Sequence, residues 1–245
     1  MGETIRINRF LASAGLGSRR KVEEMVLAGR VTVNGQPVRD LTVRIDPERD
    51  RVRVGARVVQ VPRRVVYILF HKPVNVITTS FDPEGRRTVF DFLRGAPHPL
   101  FPVGRLDRMS EGLLLLTNDG PLAHRLAHPR YHVRRVYRLR VAGAIDDARI
   151  RRFQGGVRIE GRTARPEEVT LIHRGKRTTT LEVVLQEGRN REIRRICEAQ
   201  ELNVERLLRI RLGPLSLRGL AAGEWRHLTE TELDRLRLSV RLGTA

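Results

Sequence analysis

Apolar positions along this 245-residue chain fall into two regimes. Up to Val61 they are sparse and periodic. Ile7, Phe10, Leu11 and Ala14 recur at helical spacing, and Gly15 and Gly17 stop the run. Ser18 is placed to cap a second helix, whose Val22, Met25 and Val26 share one face and which ends at Gly29. Val31-Thr32-Val33, Asn34-Gly35 and Pro37-Val38 then read as strand, tight turn, strand. Arg51 to Val54 alternates as a further strand, and a linker carrying Pro62 is expected from Gly55 to Arg64.

From Val65 onward the apolar runs become continuous. Val65 to Phe70 and Leu113 to Leu116 have no polar interruption, as strands buried on both faces do. Val136 to Val141 and Thr180 to Leu185 read as strands. Helices are expected over Pro121 to Ala127, Asp146 to Phe153 and Arg191 to Gln200, the last with Ile193, Ile196 and Cys197 facing inward. Thr229 and Glu232 form a capping box for a final helix through Leu238. Phe81-Asp82-Pro83-Glu84-Gly85 is a loop with turn chemistry. Strands and helices in this irregular order predict an α+β fold rather than a doubly wound sheet. Two domains are expected, residues 5–60 and residues 65–240.

Charge changes the picture. The chain has 47 basic and 28 acidic residues, a net charge of +19, and all the basic residues but Lys21, Lys72 and Lys176 are arginine. Such an excess calls for a polyanionic partner, most simply nucleic acid. No apolar stretch approaches the ~18 residues of a membrane span, and no basic amphipathic helix has an aromatic face. Cys197 is the single cysteine, so no disulfide forms within the chain. Met1-Gly2-Glu3-Thr4 lacks an apolar signal core, and a soluble cytoplasmic protein is expected. The seven histidines lack ligand spacing, so no metal site is expected. There is no phosphate loop and no serine-centred elbow, and hence no expected nucleotide cofactor.

Candidate chemistry centres on Phe101-Pro102-Val103-Gly104-Arg105-Leu106-Asp107-Arg108-Met109-Ser110-Glu111-Gly112, which runs directly into four leucines. A carboxylate at the edge of a buried strand, flanked by arginines, is placed to stay ionised. Arg19, Arg20 and Lys21 open the second helix and Arg30 follows it, which reads as a phosphate-contacting face or as a solvated charged one.

The helix–helix–hairpin unit, with Gly17-Ser18-Arg19-Arg20 and Gly29-Arg30-Val31-Thr32-Val33-Asn34-Gly35, resembles the alpha-L RNA-binding module. The remainder, over about residues 65–228, resembles the RsuA/RluB family of ribosomal RNA pseudouridine synthases, closest to its large-subunit branch. The motifs that carry this are His71-Lys72-Pro73, Asp82-Pro83-Glu84-Gly85-Arg86, the Asp107 segment, His128-Pro129 with Tyr137, Glu187-Gly188-Arg189-Asn190-Arg191-Glu192-Ile193-Arg194-Arg195, and Gly213-Pro214-Leu215, in the family's order.

The resemblance implies a small RNA-binding domain before a larger mixed, mainly antiparallel sheet with flanking helices. It implies isomerisation of uridine to pseudouridine without cofactor or metal. Asp107 falls on the catalytic aspartate, acting as nucleophile at C1′ or as the base that takes a ribose proton. Arg194 falls on the arginine that pairs with it, and Tyr137 on the active-site tyrosine. Arg105 is expected to displace the paired base or grip phosphate, and Lys72, Arg189, Arg191 and Arg195 to contact phosphates. The implied partner is ribosomal RNA or an assembly particle, with the protein a monomer. Small-subunit RNA is the alternative target, and a non-catalytic assembly factor the alternative role. Three positions depart from the family pattern: Asn75 where glycine is frequent, His71 in place of asparagine, and Arg135-Val136 in place of Lys-Thr. Asn75 tolerates the left-handed backbone a glycine there would adopt.

Overall fold

A computed structural model describes residues 4–61, 64–97, 99–159, 161–189 and 191–243. Met1 to Glu3, Pro62 and Asn190, which enter the sequence reading, lie outside the described residues. The chain forms two compact units, Met1–Val66 with Pro97–Leu100, and Tyr67–Ala96 with Phe101–Ala245.

The first unit runs β1 (Ile5–Arg6), α1 (Ile7–Ser13), α2 (Arg19–Leu27), β2 (Val31–Val33), β3 (Gln36–Val38), β4 (Arg44–Ile45), β5 (Val52–Val54) and β6 (Arg57–Val58). Ser18 caps α2 by accepting from the Lys21 amide at 3.3 Å. The Asn34-Gly35 turn has positive φ at both residues, 52° and 86°, and joins β2 to β3 in the sheet order β3-β2-β5-β6. Ile7, Phe10, Leu11, Val22, Val26, Val31, Ile45 and Val52 form its core. Part of the expected linker is therefore sheet: β6 pairs with β5, and Val59, whose amide donates to the Val52 carbonyl at 2.9 Å, is buried.

The second unit runs β7 (Tyr67–Lys72), β8 (Phe101–Pro102), β9 (Glu111–Thr117), α3 (Gly120–Ala127), β10 (Arg135–Ala142), α4 (Asp147–Gly155), β11 (Val157–Ile159), β12 (Arg162–Ala164), β13 (Glu168–Arg174), β14 (Thr178–Leu185), α5 (Glu192–Ala199), β15 (Val204–Leu212), β16 (Leu215–Ser216), β17 (Trp225–His227) and α6 (Glu230–Ser239). Nine strands make one mixed sheet, ordered β13-β14-β10-β15-β9-β7-β17 with β8 on β9 and β16 on β15. This is the expected α+β arrangement. Every residue of β7 and β9 is buried, as their unbroken apolar runs require. No helix among the described residues is long and apolar enough to cross a membrane.

Among the described residues the sheet has one parallel contact between strands, β15 on β9, where Leu208 lies opposite Glu111 and Arg209 opposite Gly112. Gly112 has φ +109°, and a Cβ there would sit 2.3 Å from the Arg209 carbonyl oxygen. Only glycine lets the two backbones meet at this point. The Asp107 segment is the connection from β8 into β9, and it ends on this joint.

Candidate active site

Between Leu106 and Ser110 the chain leaves regular structure, and five consecutive carbonyls each find a donor. Thr78 Oγ1 donates to Leu106 O at 2.8 Å. The Ser110 amide donates to Asp107 O at 2.9 Å, closing a tight turn. The Asn75 amide donates to Arg108 O at 2.8 Å. Arg194 Nη2 donates to Met109 O at 2.7 Å, and Lys72 Nζ to Ser110 O at 2.7 Å. Asn75 has φ 63°, the left-handed geometry expected of it. A loop with these five carbonyls tied holds the backbone at Asp107 in a fixed place.

Asp107 is half-buried and lines a cavity of about 400 Å³. Tyr137, from β10, lines the same cavity and is 8% exposed. Further parts of the wall come from three places. The Asp107 loop gives Val103 to Leu106, α3 gives Leu126, and the far side is made by Arg189, Arg191, Glu192 and Ile193 around the start of α5 with Arg209 of β15. The cavity is part apolar and part charged, and large enough for a flipped pyrimidine nucleotide.

Arg194 stands differently from the sequence expectation of a direct pair. Its hydrogen bond goes to Met109 O, and among the described residues no ion pair joins it to Asp107. The Asp107 charge still reaches it, partly offsetting the burial that lowers the arginine's pKa. Arg194 thus holds the loop by its backbone and supplies positive potential to the carboxylate at longer range.

Lys72 requires a correction. It was expected to contact phosphate, but it is 0% exposed. Its ammonium donates to Pro73 O at 2.9 Å, Ser110 O at 2.7 Å and, weakly, Arg108 O at 3.4 Å. A cation sealed under the loop cannot reach a phosphate in solvent. Burial pushes its pKa down to about 8, opposed by the charges of Asp107 and Glu111.

The other basic candidates are accessible. Arg19, Arg20, Lys21 and Arg30 are exposed on the first unit. On the second, Arg105, Arg189 and Arg191 are exposed around the cavity, and Arg195 is half-buried on α5. Arg189 pairs with Glu187 at 2.9 Å and Arg191 with Glu198 at 2.7 Å, exposed pairs that cost little to trade for phosphate.

Three residues in the cavity wall have no role assigned to them by the sequence. Arg135 is buried and donates to the carbonyls of Val133, Gln186 and Leu126 at 2.8–3.1 Å. Arg209 is buried, with Nε on Leu113 O at 2.7 Å and Nη2 without a protein partner. Glu192 is buried with Oε1 unpartnered, and burial raises its pKa. The signal is position alone: Arg135 opens a strand that carries two other arginines, Arg209 lies on one that carries three other charged residues, and Glu192 stands ahead of Ile193. Among 44 arginines that signal is faint.

Known proteins resemble both units of this chain. The RNA pseudouridylate synthase model matches residues 66–199, and the S4 domain model residues 5–52. The chain is 42% identical over 239 residues to an uncharacterized RNA pseudouridine synthase of Aquifex aeolicus, covering 97% of this chain and 96% of that one. It is 40% identical over 235 residues to the ribosomal large subunit pseudouridine synthase B of Bacillus subtilis, covering 95% of each. A solved pseudouridylate synthase superposes with TM-score 0.64 at 25% identity, over 95% of this chain and 99% of that one. A pinned aspartate, a buried tyrosine and a cationic wall around one nucleotide-sized cavity thus occur in a chain that belongs to the RNA pseudouridylate synthase family.

Proposed function

We propose that this protein isomerises one specific uridine to pseudouridine in large-subunit ribosomal RNA in the cytoplasm, with Asp107 as the catalytic group. The observation that carries the residue assignment is the fully bonded run of carbonyls from Leu106 to Ser110, which fixes Asp107 at the cavity. The large-subunit target rests on the likeness to relatives named for that subunit.

The exposed basic residues of both units attract structured RNA through its phosphates. The target uridine leaves its stack, at a cost of a few kcal/mol that is least in a loop or bulge, and enters the cavity. On one route Asp107 attacks C1′ as the N1–C1′ bond breaks with its electron pair on uracil, leaving an Asp107–C1′ ester; on the other Asp107 takes the C2′ proton as the same bond breaks, leaving a glycal. The base turns within the cavity and C5 bonds to C1′, as the ester bond breaks and frees the carboxylate or as Asp107 returns the proton to C2′, and the C5 proton then leaves to a base. Tyr137, fixed in the wall by β10, lies against the uracil ring and keeps it in place while it turns. Arg194, bonded to the Met109 carbonyl two residues on, steadies the loop that carries Asp107.

The deciding experiment is tritium release from C5-labelled uridine in separate large- and small-subunit transcripts, with wild type and Asp107→Asn side by side. Release from the large-subunit transcript alone, abolished by the substitution, is expected. Release from the small-subunit transcript alone would move the target to that subunit. No release from either transcript or from ribosomal precursors, with tight binding retained, would mean a non-catalytic assembly factor.

A further inference from the structure

We propose that Phe81 is a stacking platform for an unpaired base of the substrate RNA beside the flipped uridine. The proposal rests on the RNA-isomerase reading above and names a contact of that same site.

Phe81 is 75% exposed, more than any other large apolar side chain among the described residues. Single exposed apolar residues are ordinary on protein surfaces. This one differs in how firmly its backbone is held. Thr79 Oγ1 donates to Phe81 O at 2.8 Å and accepts from the Phe81 amide at 3.4 Å. On the other side Asp82 takes three bonds from Arg86, from the amide at 2.9 Å and from the guanidinium at 3.0 and 2.8 Å. The base of the loop is closed by Ile77 N on Arg87 O at 2.9 Å and Val89 N on Ile77 O at 3.0 Å. The ring is thus presented to solvent on a turn that has already lost its backbone freedom. Aromatic side chains used in recognition have this property, since little entropy remains to be lost on binding.

Position gives the second argument. Thr78, at the start of the loop, accepts from the Leu106 amide at 3.3 Å and donates to its carbonyl at 2.8 Å, immediately before Asp107. Three residues of chain reach at most about 11 Å, so Phe81 lies within that distance of Thr78, which is hydrogen-bonded to Leu106 of the cavity wall. Charge gives the third. Arg87, Arg105 and Arg108 are exposed on the two loops that Thr78 joins, Arg86 is paired with Asp82 and Glu84, and Arg87 lies 4.5 Å from the centre of the Phe92 ring. An exposed ring on loops that also carry arginines suits a base with its phosphates attached, not an apolar protein surface. Flipping the uridine unstacks its neighbours, and an exposed ring on a loop tied to the cavity wall offers one of them a new face.

The test is the KM and kcat for tritium release from a large-subunit ribosomal RNA transcript by Phe81→Ala, Phe81→Leu and Phe81→Trp. Stacking on one base contributes about 1–3 kcal/mol, so Phe81→Ala should raise KM roughly 5- to 150-fold. Phe81→Trp should keep the wild-type KM, and Phe81→Leu, apolar but without a π face, should not. An unchanged KM in Phe81→Ala, or full recovery in Phe81→Leu, would overturn the proposal. A second readout separates its failure from that of the isomerase reading: the added tryptophan fluorescence of Phe81→Trp, over the Trp225 background, should be quenched by the same transcript. If wild type releases no tritium from either subunit's transcript or from ribosomal precursors, the isomerase reading fails and the quench alone decides: its presence keeps the stacking contact, and its absence removes it.

Discussion

Lys72 Nζ donates to the carbonyl of Ser110 at 2.7 Å, and beyond the same loop Arg194 Nη2 donates to the carbonyl of Met109, also at 2.7 Å. Two cations from elements far apart in the chain therefore grip adjacent peptides of the segment that presents Asp107. Lys72→Met removes one of them and leaves buried acceptors unsatisfied, at about 1–3 kcal/mol. A chain of this size should lose roughly 2–12 °C in Tm. Turnover should fall while RNA affinity stays within about threefold of wild type, since the lysine meets no phosphate. A large loss of affinity in a filter-binding assay would instead place Lys72 on the RNA.

Arg19→Ala combined with Arg20→Ala should act in the opposite way. Both residues are exposed at the start of α2. Removing two phosphate contacts should lower the slope of log K against log salt by roughly 1.4–1.8. The single-turnover rate at saturating enzyme should not change. A large fall in that rate would contradict the division between binding on the first unit and chemistry on the second.

The parallel joint predicts a contrast between two glycines of one motif. Gly104 has φ +72° with open space where a Cβ would go, and Gly112 has φ +109° with the Arg209 carbonyl 2.3 Å from that point. Gly104→Ala should cost about 1–2 kcal/mol, the conformational penalty alone. Gly112→Ala must also push two strands apart, and should cost more than about 3 kcal/mol or prevent folding. Denaturant unfolding of both variants reads this directly. Equal losses would mean that the joint yields easily.

Glu232 gives a pH dependence of defined sign. Hydrogen bonds from Arg226, at 2.7 Å to each carboxylate oxygen, pull its pKa from 4.5 down to about 2. The folded state then binds fewer protons than the unfolded state between those values. Stability from this group is complete above pH 4.5 and is lost as pH falls toward 2. Glu232→Gln keeps the capping box with Thr229 but lacks this slope. Urea midpoints at pH 6 and pH 3 should therefore converge in the variant relative to wild type.

Much of this molecule was legible in its sequence because local rules and tertiary context agree there. Ser18, Asn34-Gly35 and the Thr229–Glu232 box each do in the structure what their chemistry dictates. The leucines of β9 could only be a central strand. What escaped was arginine-rich. β15, Val-Glu-Arg-Leu-Leu-Arg-Ile-Arg-Leu, lies at the middle of the sheet, yet four of its nine residues are charged. Arg209 within it is buried, with the Leu113 carbonyl and the cavity receiving its guanidinium. Lys72 was misassigned for the same reason: a charge in sequence says nothing about whether backbone oxygens replace its water.

Cys197 gives the fold a built-in clock. It is the one thiol in the chain, 0% exposed on α5, with burial pushing its pKa up to about 12. In the closed protein it neither ionises near neutral pH nor meets reagent, so the rate at which it is alkylated counts openings of the helix that also holds Arg194. RNA that seats in the cavity and steadies that helix would slow the clock, without any label having been added.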